Sequence, residues 1–151
     1  MFLEIGDPAS VDQWFTDNIK SGKRRIMGIG HRVYKALDPR AAVLYDRARK
    51  LAQGSGNDKW FEIADKLAKL ARADEYFIER NLYPNVDYYS AIVLYTLNLD
   101  TDMFTPLFAM SRMAGWTSHI IEQWANNRLM RPEVKYIGAL DLAWVPLDQR
   151  A

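Results

Sequence analysis

Gly28-Ile29-Gly30-His31-Arg32-Val33-Tyr34-Lys35, with Asp38-Pro39-Arg40 close behind, is the stretch around which the chain is organised. Glycine lets the backbone approach a ligand closely and take positive φ. Asp38 as N-cap and Pro39 at the first helical position open a helix, and the free N–H groups of such a helix start favour an anion. The pairing of glycines and histidine with a row of cations therefore reads as a binding loop for an anionic ligand. A solvated basic turn is the alternative on these residues alone.

The composition frames that loop. The chain has 151 residues, 49% hydrophobic and 26% charged, enough for one good core in a globular domain. A net charge of +1 argues against a strongly steered nucleic-acid binder. Cysteine is absent, which excludes disulfides and thiolate chemistry and leaves the redox compartment open. No signal peptide is legible at Met1-Phe2-Leu3-Glu4, so cytoplasm is the default expectation. Met103 to Ile121 carries one formal charge, Arg112, but also Ser111, Thr117, Ser118 and His119, which favours a buried helix over a membrane span.

Outward from the loop, the N-terminal side reads as a leading loop from Glu4 to Pro8. A capping box at Ser10 and Gln13 follows, with Val11, Phe15 and Ile19 on one helical face up to Gly22. Lys23-Arg24-Arg25 reads as a solvated helix exit that also raises the potential before the glycines. On the other side, the Pro39 helix carries its apolar stripe at Ala41, Leu44, Tyr45, Ala48, Leu51 and Ala52. Arg40 lies off that stripe, where a cation opposes the helix dipole unless an anion sits against it. A second helix from Asp58 to about Ala71 buries Trp60, Ile63, Ala64, Leu67 and Ala71, and a shorter one covers Tyr76 to Arg80.

Asn81-Leu82-Tyr83-Pro84-Asn85-Val86-Asp87 is the second informative stretch. Tyr83 is pushed out of the helical region by Pro84, Asn85 is a good N-cap, and Val86, Tyr89, Val93 and Leu97 form the apolar face. Asp87 alone is ordinary first-turn chemistry. A long helix then starts at Thr101 or Asp102 and runs to about Asn127. Its face holds large Phe104 and Phe108 at one end and small Ala114 and Gly115 in the middle. Arg112 on that helix must find an anion or reach solvent, and His119 reads as a hydrogen-bonded core histidine. The tail to Ala151 has no helical period and reads as an extended arm. No strand alternation stands out, and the class is all-α.

Taken together, Gly28 to Lys35 with Asp38-Pro39-Arg40, Tyr83-Pro84-Asn85-Val86-Asp87-Tyr88-Tyr89-Ser90, Phe104 to Arg112 and Asn127-Arg128-Leu129-Met130-Arg131-Pro132 resemble the C-terminal portion of citrate synthase. The likeness covers almost the whole chain and is nearest to the bacterial and archaeal short-form enzymes, a group that includes 2-methylcitrate synthases. It implies an all-α small domain at about residues 1–102 that binds CoA, one large-domain helix at 103–128, and a C-terminal arm at 129–151.

The resemblance also implies a reaction and its residues. The family condenses acetyl-CoA with oxaloacetate and hydrolyses the thioester, with no metal and no further cofactor. His31 would hydrogen-bond the keto oxygen and Asp87 would take the methyl proton. Arg40 and Arg112 would hold the oxaloacetate carboxylates, and Arg131 would reach the other subunit's site in a homo-oligomer. Lys35 and Arg80 would meet CoA phosphates, and the Gly28-Ile29-Gly30 backbone would lie against the adenine. The family's N-terminal part carries further catalytic histidines, whereas His31 and His119 are the two histidines here. The expectation is half of an active site, inactive without that N-terminal half, with exposed apolar surface on the final helix. Propionyl-CoA as donor, or a non-catalytic CoA- or dicarboxylate-binding helical module, are the alternatives. Neither nucleic acid nor membrane is an expected partner.

Overall fold

The computed structural model describes residues 1–150 and is helical, with no strand among them. The helices are α1 (Phe2–Ile5), α2 (Val11–Trp14), α3 (Pro39–Ala52), α4 (Asp58–Ala73), α5 (Glu75–Glu79), α6 (Val86–Thr96) and α7 (Phe104–Ala125). A π-helical segment, Phe15–Lys20, continues α2. The chain forms two compact units, Met1–Ser111 and Arg112–Ala151, and the division falls inside α7.

Helix starts follow local chemistry. Asp38 accepts from the Arg40 N–H at 3.0 Å, and Pro39 at the first helical position needs no donor partner. Asn85 caps α6 by accepting from the Asp87 N–H at 2.9 Å. Ser10 does not cap: the residue that starts this segment is Asp7, accepting from the Ala9 N–H at 2.7 Å ahead of Pro8. With Asp7 in place, Ser10 is already helical and Gln13 turns outward to Asp17. The expected leading loop is also partly helical, since α1 includes Glu4 and Ile5.

The core lies within the first unit. Val11, Phe15, Ala41, Ala48, Ile63, Ala64, Leu67, Phe77, Tyr88 and Ile92 are buried together. Alanines at 41, 48 and 52 leave α3 narrow enough to pack closely on α6, its main neighbour. Full burial of side chains such as Ile63 and Leu67 stabilises the fold by about 2–3 kcal/mol each. Leu51, expected on the α3 stripe, is instead exposed. The α6 face also differs from its expected line: Tyr88, Tyr89, Ser90 and Ile92 are buried, Val86 and Val93 are half-buried, and Leu97 is exposed. Contact with α3 and α4 together buries more than one stripe, so periodicity carries little signal there. The Tyr88 hydroxyl donates to the Ala64 carbonyl at 2.7 Å, which satisfies it deep in the core.

No residue of α7 is buried. The burial read from the composition of Met103 to Ile121 is not found, whereas the exposed apolar surface that the resemblance implied is: Met113, Trp116, Ile121 and Trp124 all present it. His119 is likewise exposed, 3.5 Å from Glu122, rather than a core histidine. An apolar helix can be buried only by neighbours, and none among the described residues covers it. Residues 126–150 follow without helix except a turn at Leu147–Gln149. No described helix is long and apolar enough to cross a membrane.

Candidate functional site

Ile26 is buried and anchors the chain just before the glycines. Gly28 then passes so close to α6 that a Cβ there would lie 2.8 Å from the Tyr88 Cα, at φ +82°. The glycine is required by backbone meeting backbone. The loop is laced to the residues before α6. The Asn85 N–H donates to the Gly28 carbonyl at 2.9 Å, and the Gly30 N–H donates to the Tyr83 carbonyl at 2.8 Å. The Asn85 side-chain amide donates to the Gly30 carbonyl at 2.8 Å. His31 leaves this lacing one residue later, and Asp87 stands in the first turn of α6, exposed.

The His31 ring is fixed by its own loop. Nδ1 accepts from the N–H groups of Val33 at 3.1 Å and Tyr34 at 3.0 Å, and the ring stacks on Tyr34 at 4.6 Å. An accepting Nδ1 leaves the ring proton on Nε2, so Nε2–H is a directed donor.

Arg40 has a protein anion against it. Its Nε donates to Asp38 Oδ1 at 3.0 Å and its Nη2 to Oδ2 at 2.8 Å, a bidentate pair that leaves further guanidinium N–H groups for a ligand. The guanidinium also lies 5.8 Å from the Tyr34 ring centroid. Asp38, Tyr34 and Asp87 all favour its charged form, the bond from Asp38 most. The Asp38 carboxyl is held below the usual carboxylate range, first by the Arg40 side chain and also by the Arg40 N–H. Its folded value being lower than its unfolded one, the stabilisation is present above about pH 3.9 and is lost as pH falls through the lower folded value. Asp38→Asn keeps the cap acceptor and is expected to flatten that acid limb. Thermal melts from pH 5 to pH 2 check this, and limbs that superimpose would contradict it.

Beside the loop lies a cleft of about 1020 Å³ lined by Ile29, Lys35 and Arg80, three of the expected CoA residues. Lys20, Arg24 and Arg25 add cations to it, and Phe77 and Leu82 give it an apolar wall. Arg24 and Arg25 thus line a cavity instead of merely capping a helix exit. Their position directly before the glycines was the available signal. Arg24 is held by Glu4, with its Nη1 2.8 and 2.7 Å from the two carboxylate oxygens, and this pair keeps the Glu4 carboxyl low. The Arg80 guanidinium stacks 4.2 Å from the Tyr76 centroid. Asp74 and Glu75 also line the cleft, so its five cations outnumber its two acids, and with the apolar Phe77 and Leu82 this lining suits a ligand carrying phosphates and a flat ring.

The expected residues therefore fall into groups. Ile29, Lys35 and Arg80 line the cleft, while His31, Arg40 and Asp87 are associated through Asp38, Tyr34 and the laced loop. Gly28 and Gly30 form the loop between them. Arg112 and Arg131 belong to the second unit and are exposed. No cluster of His, Cys, Asp or Glu that could hold a metal ion occurs among the described residues.

The fold and the site define an all-α domain in which a cleft lined by several cations adjoins the loop that carries His31. The family described as "Citrate synthase, C-terminal domain" matches residues 1–133. The chain is 42% identical to citrate synthase 2 of Bacillus subtilis over 100% of its own length and 39% of that protein's. It is 44% identical to citrate synthase of Saccharolobus solfataricus over 99% of the chain and 40% of the relative. The citrate synthase of Thermoplasma acidophilum, solved in a ternary complex with carboxymethyl coenzyme A and oxaloacetate, superposes with a TM-score of 0.81 at 42% identity. That superposition covers 99% of this chain and 40% of the other. The chain belongs to the citrate synthase family and corresponds to its C-terminal domain.

Proposed function

We propose that this chain supplies the C-terminal part of a citrate-forming active site, which condenses acetyl-CoA with oxaloacetate without a metal or further cofactor. The observation that carries the reading is the fixing of His31, whose Nδ1 accepts from Val33 and Tyr34 and so leaves Nε2–H as the donor, with Arg40 against the same Tyr34 ring. In this reading Asp87 removes a proton from the acetyl methyl group, and the resulting carbon nucleophile attacks the keto carbon of oxaloacetate. Negative charge then develops on the keto oxygen, which Nε2–H of His31 stabilises. Water finally cleaves the thioester, releasing citrate and CoA. Arg40 and Arg112 hold the carboxylates, Lys35 and Arg80 the CoA phosphates, and Gly28, Ile29 and Gly30 offer backbone to the adenine. Residues 1–102 act as the CoA-binding small domain, 103–128 as a large-domain helix and 129–151 as an arm whose Arg131 reaches a second subunit.

The chain spans 39% of the length of the first of these relatives, and in this reading the rest of the site belongs to the part it does not span. The exposed apolar face of α7 fits burial by that sequence in a homo-oligomeric, cytoplasmic enzyme of the tricarboxylic acid cycle. The chain alone is expected to turn over no substrate at an appreciable rate, since one missing oxyanion donor alone costs roughly 3–4 kcal/mol. Binding is a separate matter, because the cleft is formed within the first unit. Calorimetry with CoA should show binding that weakens by roughly tenfold in Lys35→Ala and in Arg80→Ala, as loss of a charge-assisted hydrogen bond requires. Wild-type affinity in both variants would overturn the assignment of the cleft.

A further inference from the structure

We propose that Asn85 is a positioning residue, a clasp that sets the His31 loop against the helix bearing Asp87. The functional half of this inference rests on the reaction proposed above, and the geometric half does not. The two halves of the Asn85 amide do different work. Oδ1 accepts from the Asp87 N–H at 2.9 Å and so fixes the first turn of α6. Nδ2 donates to the Gly30 carbonyl at 2.8 Å and so fixes the backbone immediately before His31. Among the described residues this is the one side-chain hydrogen bond between the glycine loop and the segment leading into α6. It lies between two backbone bonds, from the Asn85 N–H to Gly28 and from the Gly30 N–H to Tyr83. Asn85 is half-buried in this lattice.

Asparagine satisfies both demands at this reach, and the other strong capping residues do not. Serine accepts from the helix N–H but has no donor long enough to span to Gly30. Aspartate also caps, yet its carboxylate would face the Gly30 carbonyl oxygen, replacing attraction with repulsion. A residue chosen for capping alone would not need the amide. Proton removal at one carbon and charge stabilisation at another oxygen must be held in one geometry, and a small misplacement is expensive in rate. The clasp acts on that geometry without touching substrate.

Asn85→Ser separates the two functions, because it keeps the cap and loses the clasp. In hydrogen-exchange NMR on the full chain, the Asp87 amide should stay protected, while the Gly30 N–H, whose bond to the Tyr83 carbonyl is held in place by the clasp on the Gly30 carbonyl, should exchange roughly tenfold faster. In the enzyme assembled with its N-terminal part, kcat should fall by about tenfold, and by more than any rise in the KM for acetyl-CoA through the Gly30 backbone, since Lys35 and Arg80 are unaltered. Unchanged Gly30 exchange, or unchanged kcat, would overturn the proposal. An assembly of wild-type polypeptides that makes no citrate counts against the proposed reaction. The exchange measurement then decides the clasp: faster Gly30 exchange upholds it, and unchanged exchange refutes it.

Discussion

Gly28→Ala should cost about 3 kcal/mol or more of folding stability. Two effects combine. At φ +82° an L side chain meets a conformational cost of about 1–2 kcal/mol. The added Cβ would also lie 2.8 Å from the Tyr88 Cα and 2.9 Å from its N, so backbone rather than a flexible side-chain end must move. Tyr88 cannot retreat easily, being 1% exposed and bonded to Ala64. Gly54→Ala provides the control, since φ there is +72° but nothing lies within 4 Å. Urea denaturation of both should show a loss of about 1–2 kcal/mol for Gly54→Ala and clearly more for Gly28→Ala. Equal losses would mean that the contact with α6 is not tight.

Asp87→Asn should reduce turnover of the assembled enzyme by roughly 10²–10⁴, the usual worth of a positioned general base. The substitution is nearly isosteric and the side chain is exposed, so packing is untouched. The hydrogen bond from residue 87 to Asn85 uses the backbone N–H and survives. Loss of an acid from the first turn of α6 costs only about 0.3–1 kcal/mol through the helix dipole. CoA affinity should therefore stay near wild type while kcat collapses. A comparable fall in CoA affinity would instead make Asp87 a structural residue.

How much of this was legible before the structure depended on how local each feature is. Asp38-Pro39 and Asn85 marked the starts of α3 and α6 correctly, because a cap and its helix are neighbours in sequence. Ser10 failed by the same rule: Asp7-Pro8 offered a competing start three residues earlier, and the chain takes it. Arg40 was legible as a cation needing an anion, but the anion in the structure is its own cap, Asp38. That pairing depends on side-chain geometry that spacing does not encode. The tautomer of His31 and the second bond of Asn85 are invisible for the same reason. For α7 and His119, composition reports what a helix can bury and not whether the chain supplies neighbours to bury it.

Thiol release from acetyl-CoA in the presence of oxaloacetate tests the proposed half-site most directly. The chain would be assayed alone and with the N-terminal part of the Thermoplasma acidophilum relative added as a separate polypeptide. Release should require both polypeptides and both substrates, and should disappear when Asp87→Asn replaces the wild-type chain. Sustained turnover by this chain alone, or turnover by the pair undiminished by Asp87→Asn, would contradict it.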